Sequence, residues 1–172
     1  WSWHIWLTDK PQEHIYPNNA GIMMDRNLGA TSASAGDVGA LGLMYQWGRK
    51  DPFLATSSIS NSTIANSTIK WPSVVSSDIE HGTIEYAIAN PTTFIGYNTL
   101  NDDWLYTGSS SSDTSRWVTS DYDKSIYDPC PVGWRVPDMD VWKDAGFNNR
   151  TFDDTNKGIT FSIDSLSETW YP

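Results

Sequence analysis

At 172 residues the chain is long enough for one domain with a sizeable core. A formal net charge of −10 excludes the basic footprint that phosphate binding needs, so nucleic acid is not an expected partner. No window is long and apolar enough to span a membrane, and a single cysteine allows no internal disulfide.

Ten tryptophans in a chain with few charges and many Ser, Thr and Asn residues suit a β-rich extracellular protein with long polar loops. The chain begins at Trp1 rather than Met, which points to an N-terminal segment removed beforehand. Residues Trp1–Leu7 alternate Trp1, Trp3, Ile5 and Leu7 against Ser2, His4 and Trp6, predicting a strand with one strongly apolar face. His4 reads as a strand residue rather than a ligand, since no second histidine is near it in sequence.

Lys10–Ala20 reads as a polar loop, and Gly21–Leu28 as a second strand closed by a turn at Gly29. Asp25 and Arg26 would face opposite sides of that strand, so one of them should be half-buried and hydrogen-bonded. The spacing of Leu41, Met44, Tyr45 and Gly48 predicts a short helix over Ala35–Gly48, capped by Asp37. Its internal Gly39 and Gly42 are tolerable where another backbone packs close. Leu54–Ser77 contains a duplicated Asn-Ser-Thr-Ile, at Asn61 and Asn66, and reads as a surface β-excursion. Both asparagines, with Asn149, match the glycosylation sequon, which has meaning only in a secreted eukaryotic protein.

A second helix is predicted over Gly82–Asn90, capped by Thr83, with Ile84, Ala87 and Ile88 as its apolar stripe. Thr92–Tyr97 is a strand candidate and Asn98–Ser115 a long polar loop. Tyr127–Trp142 then reads as a rigid turn, a brief strand at Trp134–Val136 and a helix capped by Asp138. A loop over Gly146–Lys157 and an alternating strand over Gly158–Leu166 follow. Short strands, two or three short helices and long loops make an α+β chain.

Four motifs in order carry a resemblance. They are Trp1-Ser-Trp-His-Ile-Trp6, Met24-Asp-Arg-Asn-Leu-Gly-Ala-Thr-Ser32, Gly42-Leu-Met-Tyr-Gln-Trp-Gly-Arg-Lys-Asp-Pro-Phe53 and Tyr127-Asp-Pro-Cys-Pro-Val-Gly-Trp-Arg-Val-Pro137. Together they resemble the fimbrillin-like and "major paralogous domain" surface proteins of Bacteroidetes and Fibrobacter. That resemblance implies a C-type-lectin-like fold of short twisted antiparallel strands, over residues 1–172 as one domain. It also implies a location at the cell surface or outside the cell, associated with the bacterial outer membrane. Trp134-Arg-Val-Pro-Asp-Met-Asp-Val-Trp142 is similar to a segment of formylglycine-generating enzymes. The Trp-Ser-Ser segment and final strand usual in the family do not follow Pro172, so the chain resembles a domain cut at both ends or one completed by a neighbour's strand.

The candidate sites follow from residue chemistry. Cys130 stands between two prolines and does not match the catalytic cysteines of the formylglycine-generating enzymes; it reads as a buried structural thiol. Trp104, Tyr106 and Trp117 flank the long loop and are the candidates for stacking on a ligand such as a sugar ring. Asn101, Asp102 and Asp103 are the candidate Ca²⁺ ligands, and Asp153-Asp154 is a second acidic turn of the same kind. The expected function is non-catalytic adhesion or ligand binding, with a surface ligand or other fimbrial subunits as partners and no required cofactor. A filament subunit completed by a neighbouring strand, and an enzyme related to the formylglycine-generating family, are the alternatives.

Overall fold

A computed structural model of the chain describes residues 5–16, 21–54, 73–111, 113, 115–118, 123–144, 150–156, 158–164 and 167–171. Its strands are β1 (Glu13–Ile15), β2 (Ile22–Met24), β3 (Leu43–Tyr45), β4 (Pro52–Leu54), β5 (Ser73–Val75), β6 (Thr93–Ile95), β7 (Arg150–Asp153), β8 (Gly158–Asp164) and β9 (Ser167–Tyr171). Two α-helices, α1 (Ile84–Ala89) and α2 (Met139–Asp144), and a 3-10 turn at Val38–Ala40 complete the described elements. The strands form small sheets ordered β1-β2, β3-β4, β5-β6 and β7-β8-β9. This is a mixed α+β chain of short strands and few helices, as its composition and periodicity predict.

The chain divides into two compact units, Trp1–Met44 with Leu54–Ile69 and Pro137–Pro172, and Tyr45–Phe53 with Lys70–Val136. In the first, β8 pairs antiparallel with both β7 and β9, and β1 pairs antiparallel with β2. Phe161 and Tyr171 from the three-stranded sheet join Tyr16 and Met23 in one buried cluster, with Val141, Trp142 and Ile159 packed against it. Trp142 meets Phe161 and Tyr171 with ring centroids 5.3 and 5.9 Å away, and so docks α2 on the sheet. The Tyr171 hydroxyl donates to the Met24 carbonyl at 2.8 Å, which ties β9 to β2.

Several expectations are corrected here. Ile5–Leu7 is not a strand: Ile5 and Leu7 are 81% and 87% exposed, whereas Trp6 turns back and its indole N–H donates to the Ala30 carbonyl. Trp1, Trp3 and His4 lie outside the described residues, as do Asn61, Asn66 and Asn149. β2 ends at Met24, and the bend that follows lets Asp25 and Arg26 face each other instead of opposite sides. The buried Arg26 donates to both Asp25 oxygens, at 2.9 and 3.0 Å, and to Asp9 and Thr8.

The helix predicted over Ala35–Gly48 is replaced by the 3-10 turn and β3. Asp37 does cap that turn, its carboxylate accepting from the Gly39 N–H at 2.8 Å. Gly42, however, has φ +68°, and a Cβ there would lie 2.8 Å from the Leu28 carbonyl oxygen. The Leu43 N–H donates to that same oxygen at 2.9 Å, so the close backbone approach ends the turn and starts the strand. Two short strands, β1 and β7, fall where polar composition predicts loops.

In the second unit β5 and β6 run parallel, in register Ser73↔Thr93 to Val75↔Ile95. This departs from the all-antiparallel strands implied by the resemblance, and the cause is local: α1 is the crossover that returns the chain in the same direction. The Thr83 side chain accepts from the Tyr86 N–H, as a capping residue should, and Asn90 closes the other end. Ala87 from α1, the fully buried Ile95 and Trp104 form the core of this unit, with Val75, Tyr86 and Leu105 against it.

Candidate functional site

The second unit encloses a cavity of about 260 Å³. Ile84 and Ile88 of α1, with Trp104 and Leu105 of the long loop, give it apolar walls. Lys50, Asp51, Asp113 and Arg116 supply charge of both signs. Only Ala87 of the predicted α1 stripe is buried. Ile84 and Ile88 are 45% and 73% exposed, because they line this opening rather than the core.

Arg49 organises the cavity. Gly48, at φ +77°, turns the chain so that the Arg49 side chain enters the unit, where the residue is only 4% exposed. Its guanidinium donates to the Gln46 side chain at 2.9 Å and the Thr93 carbonyl at 2.8 Å. It also donates to the carbonyls of Ala87, Asn90 and Pro91, which close the C-terminal end of α1. A cation there complements the helix dipole. The guanidinium carbon lies 5.4 Å from the Phe53 ring centroid and 5.8 Å from that of Trp104. Among the described residues no carboxylate stands within ion-pair distance of Arg49.

The long loop is built by its own polar side chains. Asn98 donates to the Asp103 carbonyl at 2.8 Å and accepts from the N–H groups of Leu100 and Asn101. Asn101, predicted as a Ca²⁺ ligand, is buried. Its amide donates to the Leu105 and Ser111 carbonyls and its oxygen accepts from the Asp103 N–H. Asp103 is buried in a two-oxygen pair with Arg116, whose guanidinium carbon also lies 5.5 Å from the Trp104 ring centroid. Asp102 is exposed, at φ +54°. The three candidates therefore do not converge on one point: two are committed to the loop and the third faces away. Asp153 accepts from the N–H groups of Thr155 and Asn156, both at 3.0 Å, and so closes the β7–β8 turn. Among the described residues no group of three or more His, Cys, Asp or Glu side chains could hold a metal ion.

Of the three predicted aromatic contacts, Trp104 lines the cavity, but it is only 6% exposed and its indole N–H donates to the Trp47 carbonyl. Tyr106 is half-buried, packed by its Cβ against Gly82, and Trp117 stands edge-on to Trp47 with centroids 4.7 Å apart. Neither lines the cavity. The residues that sequence reasoning passed over are Asp51 and Ile88. Arg49-Lys50-Asp51 reads as a helix exit, yet three successive charges in a chain with 19% charged residues were a usable signal.

Cys130, read as a buried thiol, is half-buried in the structure. Burial first, and then the negative charge of Asp128, push its thiol up to about 12. It is protonated at neutral pH and is a poor nucleophile. Iodoacetamide should therefore leave Cys130 largely unmodified in the folded protein at pH 8 and alkylate it readily in urea; mass spectrometry reads the difference, and fast labelling of the folded chain would contradict the assignment.

Compared with known proteins, the chain matches no family model, no curated protein and no solved structure.

Proposed function

We propose that this chain is a non-catalytic binding domain of a bacterial surface or fimbrial protein, with a C-type-lectin-like fold, which makes its ligand contact at the cavity beside Trp104. The observation that carries the reading is the cavity itself. Exposed apolar side chains at a concave opening with a few charged groups are the usual makings of a binding site. The inert thiol of Cys130 favours binding over covalent chemistry. Among the described residues no helix is long and apolar enough to cross a membrane. Partners in this reading are a surface ligand or other fimbrial subunits.

The test is an array of glycans and extracellular-matrix proteins probed with the purified chain. Trp104→Ala is the wrong variant, because Trp104 is core. Ile88→Glu changes a residue that is 73% exposed and lines the cavity. Wild type should bind at least one class of ligand, and Ile88→Glu should lose the signal with its melting temperature unchanged. A blank array from folded wild type, or equal binding by the variant, would overturn the reading.

A second reading, a filament subunit completed by a neighbour's strand, is favoured by one observation. β7 and β9 are the outer strands of the β7-β8-β9 sheet, and an outer strand is a template for pairing. Sedimentation of the same preparation separates the two: concentration-dependent assembly belongs to the subunit, a monomer that binds belongs to the binding domain.

A further inference from the structure

We propose that the cavity takes a peptide segment, inserting one bulky apolar side chain between Ile84, Ile88 and Leu105 while the carboxylate of Asp51 accepts a backbone N–H of that segment. The inference rests on the binding-domain reading and names its ligand class.

The first support is the state of Asp51. Its carboxylate is half-buried at the cavity, yet among the described residues nothing donates a hydrogen bond to it and no cation stands within ion-pair distance. Carboxylates withdrawn from solvent are normally satisfied, as the half-buried Asp25 and the buried Asp103 and Asp128 are in this chain. Burial holds the Asp51 carboxyl above its ordinary value, and the Arg49 charge only partly counters this. The folded state thus binds that proton more tightly than the unfolded chain does. Ionisation costs stability once the pH passes the ordinary aspartate range. A side chain that weakens the fold while lining a cavity is the kind kept for contact with something else.

Charge selects among ligands. The Arg49 guanidinium lies near enough to act on Asp51 and is itself held by neutral acceptors, the Gln46 side chain and backbone carbonyls. Asp51 therefore already has a counter-charge at a distance; what it lacks is a donor. Arg116 and Asp113 are already paired, with each other at 3.7 Å and Arg116 also with Asp103, so an added cation would meet Arg49 and Lys50 and an added anion would meet Asp51. A neutral N–H meets neither penalty.

Shape and wall chemistry select between a peptide and a sugar. Carbohydrate stacking needs an open aromatic face, but Trp104 is 6% exposed and two guanidiniums already lie over its ring. Of the lining aromatics only Tyr127, 45% exposed, stays open; the other open walls, Ile84 and Ile88, are aliphatic, and the set suits an inserted aliphatic or aromatic side chain. A volume of about 260 Å³ falls just under the roughly 300–1,000 Å³ of drug-sized sites, so the cavity holds one large side chain and little more.

The experiment titrates the full chain with N-acetyl-L-phenylalaninamide, N-acetylglycinamide and methyl β-D-glucopyranoside, and follows the backbone amide signals of Ile88 and Leu105 by NMR. The phenylalanine amide should shift them saturably, and the other two should not. Asp51→Asn should weaken that binding roughly tenfold, the difference between a charged and a neutral acceptor, and should melt no lower than wild type. Shifts with the glucoside but not the amide would overturn the peptide assignment and leave the binding-domain reading standing. Equal affinity in Asp51→Asn would overturn the role of Asp51. No shift with any of the three would also overturn the inference, while the array decides separately whether the chain binds at all.

Discussion

Asp128→Ala should cost about 3–5 kcal/mol of stability, and Asp128→Asn should cost nearly as much. Asp128 is fully buried, and both of its oxygens are in use. One accepts from the Lys124 ammonium at 2.6 Å and from the Cys130 N–H at 2.7 Å. The other accepts from the Val136 N–H at 2.7 Å. The carboxylate thereby replaces the strand pairing predicted for Trp134–Val136: Val136 is tied to a side chain eight residues earlier, not to a sheet. Alanine would leave two backbone donors without acceptors and the Lys124 ammonium without its counter-charge, although that ammonium still donates to the backbone carbonyls of Cys130 and residue 128. The Lys124 side chain, 29% exposed, recovers some hydration, so the loss should fall toward the lower end of that range. Asparagine has only one acceptor oxygen, so its NH₂ must face a donor on one side or the other. Urea unfolding of the two variants is the check, and an asparagine variant within about 1 kcal/mol of wild type would contradict this account.

The sequence exposes local chemistry better than assembly. Thr83 and Asp138 are legible as caps because a capping residue acts within three positions of itself, and each accepts from the N–H three residues on. The alternation of Ile159 and Phe161 is legible because one face of β8 is buried. The helix predicted over Ala35–Gly48 fails for a stated reason: Leu41, Met44 and Tyr45 fit a helical spacing, but Gly42 takes a left-handed conformation forced by its approach to Leu28. That contact is set by packing, and spacing does not encode it. The cavity is less legible still. Its walls come from the turn at 48–51, from α1, from Trp104 and Leu105, and from Asp113, Arg116 and Tyr127. None of those segments marks a site by itself. Aromatic content led to Trp104, which is structural, and away from Asp51, whose meaning lies in the donor it lacks.

Arg49→Lys is the second large effect expected, a loss on the order of 3 kcal/mol despite the retained charge. The Arg49 fork spreads its donors over the Gln46 side chain and four carbonyls, at Thr93, Ala87, Asn90 and Pro91. A lysine ammonium has three donors at one point and reaches only some of these acceptors, so carbonyls at the end of α1 are left buried and unpaired. It also gives up the flat guanidinium that lies over Phe53 and Trp104. Lysine nevertheless keeps a positive charge near Asp51, so this variant separates two roles that Arg49 combines. If the fork is what holds the unit, urea unfolding will show the loss, while the folded fraction still binds at the cavity. If the charge alone matters, Arg49→Lys will unfold within about 1 kcal/mol of wild type, and the bracing of α1 must come from the apolar contacts of Ala87 and Ile95 instead.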